Sequence, residues 1–108
     1  MPPIFTMQLS HPMSLSEPQK RHLRKLAHNL KPVIILGNAG FSEGVANELE
    51  TTLEHHELIK VRVNAADREE RDALIDAICQ RARCELVQRI GHIAILYRAA
   101  MKPVIRLP

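Results

Sequence analysis

The stretch Val33-Ile34-Ile35-Leu36-Gly37-Asn38-Ala39-Gly40-Phe41-Ser42-Glu43-Gly44 decides how the chain folds. Its leading apolar run predicts a buried strand. Gly37 and Gly40 bracket a two-residue turn, and Ser42 is a good N-cap for a helix starting at Glu43. A strand, a bare-backbone loop and a helix start, in that order, can receive an anion. The glycines let another backbone approach, and the first helical turn offers unpaired N–H groups with roughly half a positive charge. The expected occupant is a nucleic-acid phosphate at Gly37, Asn38, Ala39 and Gly40. The same glycines also suit a left-handed turn that binds nothing, because GxxG alone is a weak signal. Gly44 costs roughly 1 kcal/mol relative to Ala in a helix, which points to close packing or to close approach of a ligand.

Upstream, Ser16 and Gln19 make a capping-box pattern with Pro18 tolerated in the first turn, predicting a helix over residues 16–31. Leu23, Leu26, Ala27 and Leu30 recur at helical spacing and form its expected buried stripe. The other faces carry Lys20, Arg21, Arg24, Lys25 and His28, with Lys31 just beyond, so five Lys/Arg stand against one acid. Pro32 ends this helix and hands the chain to the strand. Residues 1–15 hold three prolines and neither the basic start nor the apolar run of a signal peptide, so a flexible lead-in is expected there.

Downstream, a second helix is expected over about residues 43–55, with Val45, Leu49 and Leu53 as its apolar line and Glu43, Glu48, Glu50 and Glu54 outside. No Lys or Arg lies between Pro32 and Lys60, so nucleic acid can meet this helix only at its tip. His55 and His56 suit the helix's C-terminal dipole, and no third ligand argues for a metal. In residues 57–64, Ile59, Val61 and Val63 alternate with Lys60 and Arg62, a strand with one buried and one basic face. Asp67 and Glu70 cap a third helix over about 68–83, whose inner side is Leu74, Ile75, Ile78 and Ala82. Strands at 85–90 and 93–98, carrying Arg89 and Arg98, meet at the hairpin turn Gly91-His92. The order α-β-α-β-α-β-β describes a compact α/β (α+β) sandwich on a four-stranded mixed sheet with at least one parallel crossover.

Composition narrows the function classes. A chain of 108 residues with 45% apolar content suits one domain with a real core. Three aromatic residues and no Trp argue against a surface that stacks several bases on rings. Cys79 and Cys84 form neither a disulfide framework nor a metal pattern; their spacing predicts different faces, with Cys79 a small core hydrophobe, as suits a reducing cytoplasm. No apolar run reaches the roughly 18 residues of a membrane span. The expectation is a cytoplasmic monomer without cofactor, metal, membrane or small-molecule substrate.

Several separated motifs then carry a family resemblance: Leu26-Ala27-His28-Asn29-Leu30-Lys31-Pro32, the Gly-Asn-Ala-Gly loop, Glu54-His55-His56-Glu57-Leu58-Ile59-Lys60-Val61, and Ile90-Gly91 leading to Leu96-Tyr97-Arg98. In this order they resemble the CRM (chloroplast RNA splicing and ribosome maturation) domain, in its stand-alone bacterial form, the YhbY family. The resemblance covers about residues 15–98, and Ile105-Arg106-Leu107-Pro108 is similar to the family's usual ending. It implies an RNA-binding domain over 16–98, followed by a C-terminal tail, 99–108. The implied fold is similar to the C-terminal domain of translation initiation factor three, with a GxxG loop like that of KH domains. It also implies binding to precursors of the large ribosomal subunit. Many loops of this family hold Lys or Arg between the glycines; Asn38 and Ala39 do not, which shifts the electrostatics toward the first helix.

The functional reading joins the glycine loop to Lys20, Arg21, Arg24, Lys25, His28 and Lys31 as one RNA-binding surface, with Lys60, Arg62, Arg89 and Arg98 as second-tier contacts. Phosphate contacts position without reading sequence, so specificity is expected from the shape of a folded rRNA element. The competing reading is a protein-interaction module that docks on a ribosomal or assembly protein through the acidic helix, residues 43–56. Catalysis is not expected: the loop is neither GxGxxG nor GxxxxGK[ST], and no nucleophile, base and acid are set by a motif.

Overall fold

The structure is a computed structural model that describes residues 15–37 and 40–108. All but the last residue of the expected lead-in falls outside the described residues, as do Asn38 and Ala39. Three helices and four strands follow in the order α1 (Glu17–Ala27), β1 (Pro32–Leu36), α2 (Glu43–His56), β2 (Leu58–Val63), α3 (Arg68–Ala82), β3 (Glu85–Ile90) and β4 (Ile93–Tyr97).

Local chemistry starts each helix where the caps predict. The Ser16 hydroxyl accepts the Gln19 N–H at 3.2 Å while the Gln19 side chain accepts the Ser16 N–H at 3.0 Å, a complete capping box. Ser42 accepts the Val45 N–H at 3.2 Å, and Asp67 that of Glu70 at 2.9 Å. The first helix is shorter than its periodicity suggests. It ends at Ala27, and the Leu30 N–H donates to the Ala27 carbonyl in a following turn.

The sheet runs β1-β2-β4-β3, with β1 parallel to β2 and the other two pairs antiparallel. The crossover from β1 through α2 to β2 lies on one face, and α3 packs on the same face. There Ile34, Leu36, Leu49, Leu53, Val61 and Ile78 are buried in the larger core. Among the described residues the opposite face is covered by α1, Leu15 and the final residues: Leu23 and Ala27 bury against Leu58, Val87, Ile95 and Tyr97, with Ile105 and Leu107 beside them. Each fully buried aliphatic side chain contributes roughly 1.5–3 kcal/mol.

Two expectations are corrected by this layering. β1 is not buried on both faces. Ile34 and Leu36 enter the core, but Val33 and Ile35 stay 51% and 62% exposed, because α1 packs over β2, β4 and β3 and leaves the edge strand bare. Leu26 and Leu30 are likewise exposed, at 43% and 38%. Leu30 has left the helix, so helical spacing no longer governs it, and Leu26 sits on the margin of the narrow contact made by Leu23 and Ala27.

A third correction concerns the cysteines. Arg83 takes a left-handed conformation (φ 56°) that closes α3, and the Cys84 N–H donates to the Cys79 carbonyl at 3.1 Å. The turn therefore brings the two thiols together rather than onto different faces. Their mutual hydrogen bond lowers the Cys79 thiol below its ordinary value and, with burial, pushes Cys84 up.

Candidate nucleic-acid interface

On the α1 helix, Lys20, Arg24 and His28 follow one another along one side of the buried Leu23–Ala27 line, with Arg21 and Lys25 next to them. At 3.6 residues per turn these five span an arc of about 140°. The four Lys and Arg side chains and His28 thus share one flank. Arg21, Arg24, Lys25, His28 and Asn29 line an open groove whose far wall is Gln88 of β3. Lys31 is exposed in the connection to β1.

Beyond Gln88 none of the described helices covers this face of the sheet. The cross-strand register sets Ile35 opposite Arg62, Arg62 opposite Ile93, and Ile93 opposite Ile90. This row crosses all four strands on the α1 face. Ile35 and Ile90 are 62% and 57% exposed, and Arg62 is exposed. Lys60 is half-buried one step closer to α1, opposite Ile95. Of the second-tier residues, Lys60 and Arg62 therefore point to the open face.

Arg89 and Arg98 do not join them. Strand alternation turns Arg89 to the α3 side, where its Nε meets Asp72 Oδ1 at 3.0 Å. Arg98 Nη1 donates to both Glu50 oxygens at 3.0 Å and to the Ala82 carbonyl at 2.9 Å, and Nη2 lies 3.6 Å from Glu54. These guanidinium groups tie helices to the sheet. The Arg98 contacts, together with Arg81 on Glu43 at 3.3 Å, engage Glu43, Glu50 and Glu54 on the acidic face of α2.

The glycine loop lies at the end of the sheet, two residues beyond Ile35. Gly40 has φ +77° and its N–H donates to the Gly37 carbonyl at 3.0 Å, so the left-handed turn is real. A Cβ on either glycine would meet nothing within 4 Å, so there is open space beside both. Its inner side faces Asn64, Ala65, Ala66 and the start of α3, where Glu70 accepts the Ala66 N–H at 2.8 Å.

One residue that holds this arrangement is invisible to sequence periodicity. Glu57 ends α2 with φ 62° and is 2% exposed. Its carboxylate accepts the N–H groups of Ala100, Val104 and Ile105 at 2.8, 3.0 and 2.8 Å. The final ten residues are thereby bound to the domain, and the Gln19 side chain donates to the Pro108 carbonyl at 3.3 Å. Burial pushes the Glu57 carboxyl up, but the three N–H donors outweigh it and hold it below its usual range. Burial and the nearby Glu57 charge push the Tyr97 hydroxyl up. The exposed Val33 and Ile35 were also missed; Pro32 at the head of β1, a mark of edge strands, was the available signal.

Among the described residues no three His, Cys, Asp or Glu side chains converge as a metal site, and no helix is long and apolar enough to cross a membrane. The molecule is an α+β domain whose open face presents cations along a helix and a half-covered sheet, an architecture that suits an extended anionic partner. The chain belongs to the CRS1/YhbY (CRM) domain family, whose model matches residues 15–98. A Haemophilus influenzae RNA-binding protein is 50% identical over 95 residues, covering 88% of this chain and 96% of its own. A protein of Pseudomonas aeruginosa named as a probable RNA-binding protein is 46% identical over 91 residues, covering 84% and 88%. The solution structure of a Staphylococcus aureus protein described as a candidate RNA binder superposes with a TM-score of 0.77 at 38% identity, covering 88% of this chain and all of that one.

Proposed function

We propose that this protein binds RNA, and that its target is rRNA in precursors of the large ribosomal subunit, whose assembly it aids in the cytoplasm. The single observation that carries RNA binding is the cationic flank of α1 opening onto Gln88 and the uncovered sheet. Naming of its relatives as RNA-binding proteins supports the same reading. The rRNA target rests on the family resemblance.

Lys20, Arg21, Arg24, Lys25 and Lys31 neutralise phosphates along the α1 flank, and His28 adds a hydrogen-bonding side chain beside them. Lys60 and Arg62 extend the field across the sheet. The loop Gly37, Asn38, Ala39 and Gly40 with the α2 start receives a further phosphate through backbone N–H groups other than that of Gly40, which the turn itself uses. Arg89 and Arg98 are left out, since their charges are spent on Asp72, Glu50 and Glu54. The binding unit is residues 16–98, buttressed by 99–108. Docking of α2 on a basic protein is the weaker reading, because Glu43, Glu50 and Glu54 already hold arginines.

With about four phosphates neutralised, log affinity should fall against log salt with a slope near −3. Lys20→Glu with Arg24→Glu should weaken binding to a fragment of immature large-subunit rRNA and flatten that slope to about −1.5, while the melting temperature stays nearly constant. Unchanged affinity in a fluorescence-anisotropy titration would remove α1 from the interface.

A further inference from the structure

The groove along α1 accounts for phosphates, but the row beyond it has a different chemistry. Ile35, Arg62, Ile93 and Ile90 follow one another across the four strands, with Ile35 and Ile93 flanking Arg62, and the two outer isoleucines are more than half exposed. The row spans three strand spacings, about 14 Å. Arg62 is its charged member, Lys60 lies one step closer to α1, and among the described residues no carboxylate stands in the row. Gln88 joins it to the cationic groove, so whatever follows the phosphates along α1 is led over aliphatic side chains and one guanidinium plane.

A duplex gains little from such a surface. An A-form helix presents phosphates and 2′-hydroxyls and keeps its base faces stacked inside. An unpaired nucleotide offers a flat apolar face beside a phosphate, which matches isoleucine next to arginine. A neutral apolar partner would leave Lys60 and Arg62 unpaired. We propose that the open half of the sheet, centred on Ile35, Arg62 and Ile90, holds unpaired RNA bases, so that the ligand class of this surface is single-stranded RNA or a loop. The proposal rests on RNA binding as read above and adds which state of the RNA is chosen. Base contact by aliphatic side chains also fits a chain with so few aromatic rings, of which Tyr97 is buried in the core.

The test uses the full chain with an unstructured RNA oligonucleotide and with a perfect duplex of the same sequence, at one salt concentration. Wild type should prefer the single strand. Ile35→Ser with Ile90→Ser should cost about tenfold on the single strand, from partial loss of two apolar contacts. Duplex affinity and salt slope should not change, and because both positions are exposed the thermal melt should hold. Equal loss on both probes, or no loss on the single strand, overturns the proposal. Retained single-strand affinity with loss of a nuclease-resistant association with ribosome precursors would assign the row to an acidic protein segment instead. Lys20→Glu with Arg24→Glu should weaken both probes whatever the isoleucines do; if wild type binds neither RNA, the RNA reading itself fails.

Discussion

Glu57→Gln isolates the carboxylate that fastens the chain's end. The substitution keeps shape and volume but leaves one acceptor oxygen where there were two. If that oxygen faces Val104 and Ile105, the new amide group meets the Ala100 N–H, donor against donor. One hydrogen bond to a charged acceptor is lost, worth about 1.5–3 kcal/mol, and two others become neutral and weaker. A loss of about 2–3 kcal/mol follows, or roughly 10 °C in melting temperature for a domain of this size. The native carboxyl lies below its ordinary value of 4.5, so its contribution is full above the unfolded value and fades as pH falls through the lower folded one. Urea unfolding of both proteins, at unchanged m, should give a constant gap from pH 7 to about pH 5 that narrows below about pH 4. A gap under about 0.5 kcal/mol at pH 7, or one that persists undiminished at pH 3, refutes the clamp. The consequence for function is indirect: Ile105 and Leu107 pack beside Leu23 and Ala27, so a loosened tail loosens the helix that carries the cations.

Other outcomes follow from the same geometry. Arg98→Met should destabilise by about 2 kcal/mol, because Glu50, Glu54 and the Ala82 carbonyl lose a partner that is 18% exposed, yet the folded variant should bind RNA as wild type does; weakened RNA binding at equal stability would return Arg98 to the interface. Asn38→Asp with Ala39→Asp should lower RNA affinity several-fold without moving the melt, and unchanged binding would reduce the loop to a turn. Alkylation followed by mass spectrometry should label Cys79 before Cys84, whose thiol is buried and pushed up; simultaneous labelling would contradict the paired geometry.

Much of this molecule is local in origin. The pattern around Ser16–Gln19, Ser42 and Asp67 specifies helix starts within a few residues, and alternation in Ile59–Val63 and the Gly91-His92 turn specify strand type and hairpin, because caps, turns and side-chain alternation act over one to five positions. The cationic flank of the first helix was legible for the same reason. Which face of a strand meets water is another matter, since it depends on what packs there. Four apolar residues in β1 looked buried, but the short α1 covers three strands and leaves Val33 and Ile35 in solvent. Arg62 and Arg89 read alike in sequence, and only register sends one to the open face and the other to Asp72. Glu57 looked like the start of a strand until a chain end more than forty residues away supplied three N–H donors. The sequence alone determined the elements and the charge of helix one; the tertiary fold decided which side chains remain free to meet a partner, because burial and ion pairing belong to neighbours that are distant along the chain.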